Sequence, residues 1–307
     1  MATAQETAPA RARVRASGWR VAGRRARPAA RALAILLMAG AFGFPLYWTV
    51  TMSFKPLEEW NPPGKVFWYP NNPTLSNFED ILGLKGAGEF FTERSRSALT
   101  PLYHSLIAAG LGTVLALAIG IFAAYGIARF RAGGRLLPFQ ILQLRMFPPL
   151  AIIIPLLFMW VYLDLWDTWH GLVILYGAVT FPFVVWLLRS FFQEVPREIS
   201  EAAIVDGCTQ WGAFFKAVLP QVKGGLAATA LFVFILNWSD FLIALVMTQN
   251  NWQTAPVYLQ ALQSGQAGQE YGPQAALAMI LIMPPAIFGL LIQRYLVRGL
   301  TFGAIKR

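Results

Sequence analysis

The chain has 307 residues, 56% of them hydrophobic and 13% charged, with a mean hydropathy of +0.51. A soluble domain is about one-quarter charged, so these proportions exclude a disordered chain and argue against a water-soluble enzyme. Lys+Arg 25 against Asp+Glu 15 gives a net charge of +10, which suits nucleic acid or a membrane surface until the positions of the cations are considered. Cys208 is the single cysteine, and His104 and His170 lie far apart in sequence. No disulfide, metal motif or cofactor is therefore expected.

Six apolar stretches, roughly 32–54, 102–128, 136–163, 170–192, 226–248 and 274–297, reach the length of about 20 residues that a helix needs to cross a bilayer core. They are too long for barrel strands and lack a two-residue alternation. Helices satisfy their own backbone in lipid. The predicted fold class is all-α, a polytopic membrane protein with six transmembrane helices.

The cations set the orientation. The segment 1–31 holds Arg11, Arg13, Arg15, Arg20, Arg24, Arg25, Arg27 and Arg31. Arg129, Arg131 and Arg135 follow the second span, and Arg189, Arg197, Lys216 and Lys223 follow the fourth. Arg294, Arg298, Lys306 and Arg307 close the chain. The cations of the long 55–101 loop face a matching set of acids, from Glu58 to Glu93. By the positive-inside rule, both termini are cytoplasmic. A nucleic-acid-binding arm and a signal peptide compete for the basic N-terminus. The arm has no motif, and the apolar run continues through Pro45-Leu46-Tyr47-Trp48 without a small-residue cleavage site. Residues 1–31 read as a disordered anchor, and 32–307 as the transmembrane domain. Tyr47 and Trp48, Trp160 and Tyr162, and Trp166 and Trp169 mark membrane interfaces. In the 55–101 loop, Thr74 or Ser76 is placed to cap a short helix through Leu84.

The connection at about 193–225 carries the main signal. Pro196 suits a first helical turn, Glu198 and Glu201 favour that helix's N-terminal half, and Ala202 and Ala203 give it a slim surface. Gly207 is placed to stop it with a positive φ. Thr209 then caps a second short helix carrying Trp211, Phe214 and Phe215, which Pro220 ends. The product is a helix–turn–helix elbow along the membrane. It suits the groove of a cytoplasmic partner, and equally an amphipathic interfacial loop.

The order EAA, three residues, G, nine residues, I-x-LP resembles the signature of membrane subunits of binding-protein-dependent ABC importers. Here it reads Glu201-Ala202-Ala203, Asp206-Gly207 and Leu219-Pro220, with Ala217 in the place of the usual Ile. The runs PTLSNF, MFPPLAIIIPL, Leu172 to Phe192, NWSDFLIALV and YLVRGLTFGAIK are similar to the MalG-like branch, the sugar-importer permeases. The resemblance covers roughly 32–307 and leaves out the arginine-rich extension. It implies a permease subunit in a bacterial or archaeal inner membrane, not an enzyme, whose elbow is the coupling helix. It also implies a homo- or heterodimeric ABC ATPase, a second, MalF-like permease, an external solute-binding protein and a sugar substrate. A glycerol-phosphate or other polyol-like solute is the alternative within the same branch. No GxxxxGK[ST] occurs in the sequence, so ATP hydrolysis is expected in the partner. A membrane-embedded enzyme lacks the clustered acids, histidines or metal motif it would need.

Polar residues inside the spans are the candidate substrate path. Asp240 is expected near the middle of the fifth span, with Asn237 one turn earlier on the same face. Arg145 lies inside the third span, and Trp238 offers an aromatic face. A mid-membrane charge costs about 2.5–3.5 kcal/mol, so these side chains face an interior, a cavity or a partner. They line a sugar path, or Arg145 and Asp240 form an intramembrane ion pair or polar glue to a second permease. Pro148, Pro149 and Pro155, then Pro182, then Pro284 and Pro285 are expected to kink the third, fourth and sixth spans. Gly110, Gly112 and Gly120 suggest close helix packing.

Overall fold

A computed structural model describes residues 19–84, 97–262 and 270–303. The described residues are helical, with no strand among them. The chain divides into two compact units, residues 1–48 and 49–307.

The first unit is occupied by most of α1 (Trp19–Ser53). Its Arg31–Ser53 part is long and apolar enough to cross a membrane. The basic stretch 1–31 lies partly outside the described residues; from Trp19 it is helix continuous with the first span.

In the second unit, four further helices pass the same test: Leu99–Phe130, Trp169–Glu194, Gln210–Trp238 and Tyr271–Gln293. The sequence-predicted third span is present as two pieces, α4 (Leu137–Gln143) with its 3-10 extension and α5 (Pro149–Tyr162), bent by 91°. The break falls at Phe147 and Pro148, the first of the Pro-Pro pair, whose second ring opens α5. Proline lacks an N–H and pushes the preceding residue out of the helical region. Pro182, Pro284 and Pro285 instead sit inside unbroken helices.

A short helix α2 (Ser76–Leu82) lies between the first span and α3 (Leu99–Phe130). Neither Thr74 nor Ser76 is its cap residue, although the Thr74 hydroxyl accepts the Ser76 N–H at 3.1 Å. The helix stops at Leu82, before Gly83 at φ 67. The loop ahead of it is knotted by polar contacts. Buried Asn77 donates to the Ser53 and Lys55 carbonyls, and Glu59 accepts the Asn71 and Asn72 amides. Burial pushes the Lys55 ammonium below the usual lysine range, and nearby Glu59 partly offsets this.

The centre of the unit is the pair α3 and α6 (Trp169–Glu194), which pack along their lengths. They run parallel: Gly112 abuts Tyr176, and Gly120 abuts Val184 eight residues further on in each helix. A Cβ on Gly120 would lie 2.4 Å from Val184, so a side chain there forces the helices apart. Gly110 has open space around it and does not mark a close approach. Helix α12 (Tyr271–Gly303) packs on α9 (Lys223–Trp238), which also meets α3 and α6. One buried cluster joins Ala116, Ala124, Val184, Leu188 and Phe192 of the pair to Phe214, Val218 and Val222 of the connection. The core therefore extends into the elbow.

Candidate functional site: the elbow and the intramembrane polar residues

The elbow forms as α7 (Arg197–Val205), a turn, and α8 (Gln210–Ala213). Pro196 precedes the first helix. Its end is a Schellman turn: the Cys208 amide donates to the Ala203 carbonyl at 2.9 Å and the Gly207 amide to Ile204 at 3.0 Å. Gly207 adopts the left-handed φ of +89 that this turn requires. The Thr209 hydroxyl then accepts the Gly212 amide at 3.1 Å and caps α8, as its position predicts.

The second half of the elbow departs from expectation. Pro220 does not end it. A π-helical segment (Phe214–Val218) and a 3-10 segment (Leu219–Val222) follow α8, and the helix continues through α9 to Trp238. A local change of helical register removes the carbonyl that a proline ring would strike in a regular α-helix. The fifth span is therefore continuous with the elbow.

Two anchors fix this elbow to the core. Phe214 is 1% exposed, with its ring centroid 4.6 Å from Tyr125 and 6.1 Å from Phe192. On the other side, the Arg129 guanidinium at the end of α3 donates to the Arg197 carbonyl at 2.9 Å and to the Ser200 hydroxyl. Between the anchors, Glu201, Ala202, Asp206 and Gly207 are exposed, Ala203 is half-buried, and Val205 is 87% exposed. Leu219 and Ala217 are half-buried and Pro220 is exposed. The sequence pattern located the turn and its caps. It did not reveal the role of Arg129, which reads only as one more interior-side cation.

The polar residues of the spans fall into separate settings. Helix α9 ends at Trp238, so Asp240 sits in a break before α10 (Leu242–Met247) rather than inside a continuous helix. There its carboxylate accepts the Ala244 amide and the Tyr176 hydroxyl, both at 3.1 Å. The break accounts for the carboxylate: Asp240 satisfies a backbone donor at the start of the next helix. Asn237 is buried and donates to Thr113 at 3.2 Å. Trp238 is buried, donates to the Leu281 carbonyl at 2.9 Å and stacks on Phe234. Arg145 lies half-buried with its guanidinium 4.9 Å from the Phe183 ring centroid, a cation–π contact. Among the described residues no ion pair joins it to Asp240. Tyr176, which the sequence did not single out, organises the carboxylate.

At the opposite end of α3 and α6 the sequence also missed Asp167. Held at φ 55, it accepts the backbone amides of Gln249, Asn250, Asn251 and Trp252 at 2.8–3.3 Å. His104 stacks on Trp252 with centroids 4.1 Å apart, and its Nδ1 lies 3.2 Å from the Gln253 carbonyl. These contacts tie the histidine to the turn that Asp167 holds. Among the described residues no group of acids, histidines and cysteines is arranged to hold a metal.

The helical bundle agrees with what comparison finds. The family of binding-protein-dependent transport system inner membrane components matches residues 116–302. The trehalose transport system permease protein SugB of Mycobacterium tuberculosis is 34% identical over 273 residues, covering 88% of this chain and 94% of that protein. The trehalose/maltose transport system permease protein MalG of Thermococcus litoralis is 31% identical over 282 residues, with 88% and 94% coverage. The fold resembles a chain in the crystal structure of a bacterial ABC transporter involved in the import of the acidic polysaccharide alginate. The TM-score there is 0.71 at 22% identity, over 88% of this chain and 96% of that one. The protein is thus a multi-pass permease, a transport component and not an enzyme, and it belongs to the binding-protein-dependent transport system inner membrane component family.

Proposed function

We propose that this permease imports a sugar, that its elbow docks into a cytoplasmic ABC ATPase, and that both termini lie on that same side. The observation that carries the coupling role is the pairing of an exposed turn with a buried anchor. Glu201, Ala202, Asp206 and Gly207 present a slim outer surface, while Phe214 plugs the same elbow into the α3–α6 core. Leu219 and Pro220 sit where the elbow passes into the fifth span. A push on the turn therefore reaches the spans through packed side chains. Nucleotide-driven closure of the ATPase pair would move the elbow and alternate access to the path.

The sugar class is supported by the relatives named for trehalose and trehalose/maltose transport together with the MalG-like segments. Arg145, Asn237, Trp238 and Asp240 stand as the substrate path. A carboxylate at a helix break and a guanidinium on an aromatic ring are the acceptor and donor that sugar hydroxyls use. A second, MalF-like permease completes the path, a solute-binding protein delivers the sugar from outside, and the ATPase is a homo- or heterodimer.

The test is uptake of a labelled sugar panel in a strain lacking the chain, complemented with wild type, Gly207→Val or Glu201→Lys. Both variants are expected to reach the membrane at normal levels and abolish uptake. They are also expected to co-purify less ATPase. Normal uptake in either variant would refute the coupling role, and transport of no sugar by wild type would refute the substrate class.

A further inference from the structure

At the elbow end of α3 and α6 lies a cavity of about 740 Å³. Five arginines line it: Arg129, Arg131, Arg135, Arg189 and Arg197. Among the described residues no carboxylate lines it. Its lining includes the buried apolar residues Ile127, Phe192 and Val195. Cations that only orient a membrane protein need not converge, since each satisfies the positive-inside rule alone. These five come from three separate chain segments and face one space. Arg189 adds a second observation: its Nε is buried and has no hydrogen-bond partner among the described residues. No acceptor among the described residues holds this nitrogen, and a ligand in the cavity meets Arg189 through its terminal guanidinium nitrogens.

We propose that this cavity is a binding site for a phosphate group. Arginine forks match phosphate oxygens in pairs, and several around one hollow supply more donors than a single carboxylate takes up. The cavity stands where α3 and α6 end, and its apolar lining suits an acyl chain beside the phosphate. The shared chemistry is a phosphate ester, carried by an anionic phospholipid or by a soluble compound. Arg129 also ties its guanidinium to the first turn of α7, so an occupied site borders the base of the elbow. The assignment does not depend on the coupling role or on the sugar.

The test uses the full chain, alone and assembled with its partner subunits, purified on a phosphatidylcholine background and titrated with phosphatidylglycerol. Native mass spectrometry counts the lipids retained. Wild type is expected to prefer phosphatidylglycerol by about tenfold or more, and the triple variant Arg131→Gln, Arg135→Gln, Arg189→Gln to lose that preference. Displacement of the lipid by glycerol 3-phosphate or inorganic phosphate at low concentration identifies a soluble ligand. Resistance to displacement identifies the membrane. Either result upholds the phosphate site. The charge-preserving triple Arg→Lys controls for folding and is expected to keep most of the preference. The proposal is overturned if the Gln triple retains lipid as wild type does. Equal loss in the Lys and Gln triples overturns it, as does disappearance of the preference once the ATPase is assembled, which would make the cavity a socket for protein carboxylates.

Discussion

The Phe214 ring lies with its centroid 4.6 Å from that of Tyr125, joining the elbow to the second span. Tyr125 also meets Phe192 at 5.4 Å, so one aromatic cluster ties α3, α6 and the elbow together. Phe214→Ala leaves a void beneath the elbow and is expected to cost about 3 kcal/mol or more. Phe214→Leu fills most of the volume and is expected to cost less than about 1.5 kcal/mol. Thermal unfolding of the purified chain reads both. In the assembled transporter, Phe214→Ala is expected to loosen the dependence of ATP hydrolysis on transport, whereas Trp211→Ala, at a residue 64% exposed, is expected to leave unfolding unchanged.

Gly207 separates backbone strain from steric crowding. Nothing lies within 4 Å of a Cβ built on it, yet its φ is +89. Space is therefore free and only the dihedral resists substitution. Asparagine tolerates left-handed backbone and a β-branched residue does not. Uptake is expected to fall in the order Gly, Asn, Ala, Val at position 207, with Val costing the turn about 1–3 kcal/mol. Equal uptake by Gly207→Asn and Gly207→Val would show that the turn's conformation does not matter.

These two predictions differ in how far the sequence anticipated them. Gly207 and Thr209 are local signals: a stop residue and a cap declare themselves within a few positions, and the fold places both as expected. The apolar spans are legible for the same reason, since length and hydropathy are properties of one segment. Phe214, Arg129, Tyr176 and Asp167 act through partners tens of residues away, and no spacing rule encodes those pairings. Pro220 misleads in the opposite sense. Its helix-breaking chemistry is local, but the π and 3-10 segments around it absorb the disruption. Asp240 is mid-span by counting, yet it falls in a break between two helices, where its carboxylate serves the Ala244 amide.

Asp167 is the fixed point of the turn between α10 and α11 (Ala255–Ala261). Its two carboxylate oxygens take four backbone amides, from Gln249 to Trp252. Asp167→Asn removes the charge and converts one acceptor into a donor facing N–H groups. It is expected to destabilise the turn by about 2–3 kcal/mol. Hydrogen exchange is the direct measurement: amides 249–252 are expected to lose protection while those in α3 and α6 keep theirs. Unchanged protection at 249–252 would mean that the clamp adds nothing to that turn.

Arg145 and Asp240 pose the choice between a structural pair and a substrate path. A pair would be restored by exchanging the partners. The geometry argues otherwise, because Arg145 rests on Phe183 and the Asp240 carboxylate is held by Tyr176 and Ala244. Exchanged, the arginine at 240 would set a donor against the Tyr176 hydroxyl and the Ala244 amide, and the acid at 145 would lose the ring contact. The double swap Arg145→Asp with Asp240→Arg is therefore expected to remain inactive, like each single change. Asp240→Asn is the milder probe. Its amide oxygen still accepts from Ala244, so the helix break is expected to persist and the membrane level to hold. Loss of one charged acceptor toward a sugar hydroxyl is worth about 1.5–3 kcal/mol, which predicts a fall in uptake of about tenfold or more. Tyr176→Phe, which frees the carboxylate without neutralising it, is expected to raise the KM for uptake more than it lowers the maximal rate. That split distinguishes a residue that positions Asp240 from one that merely packs, since a packing defect lowers the amount of transporter and leaves KM where it was.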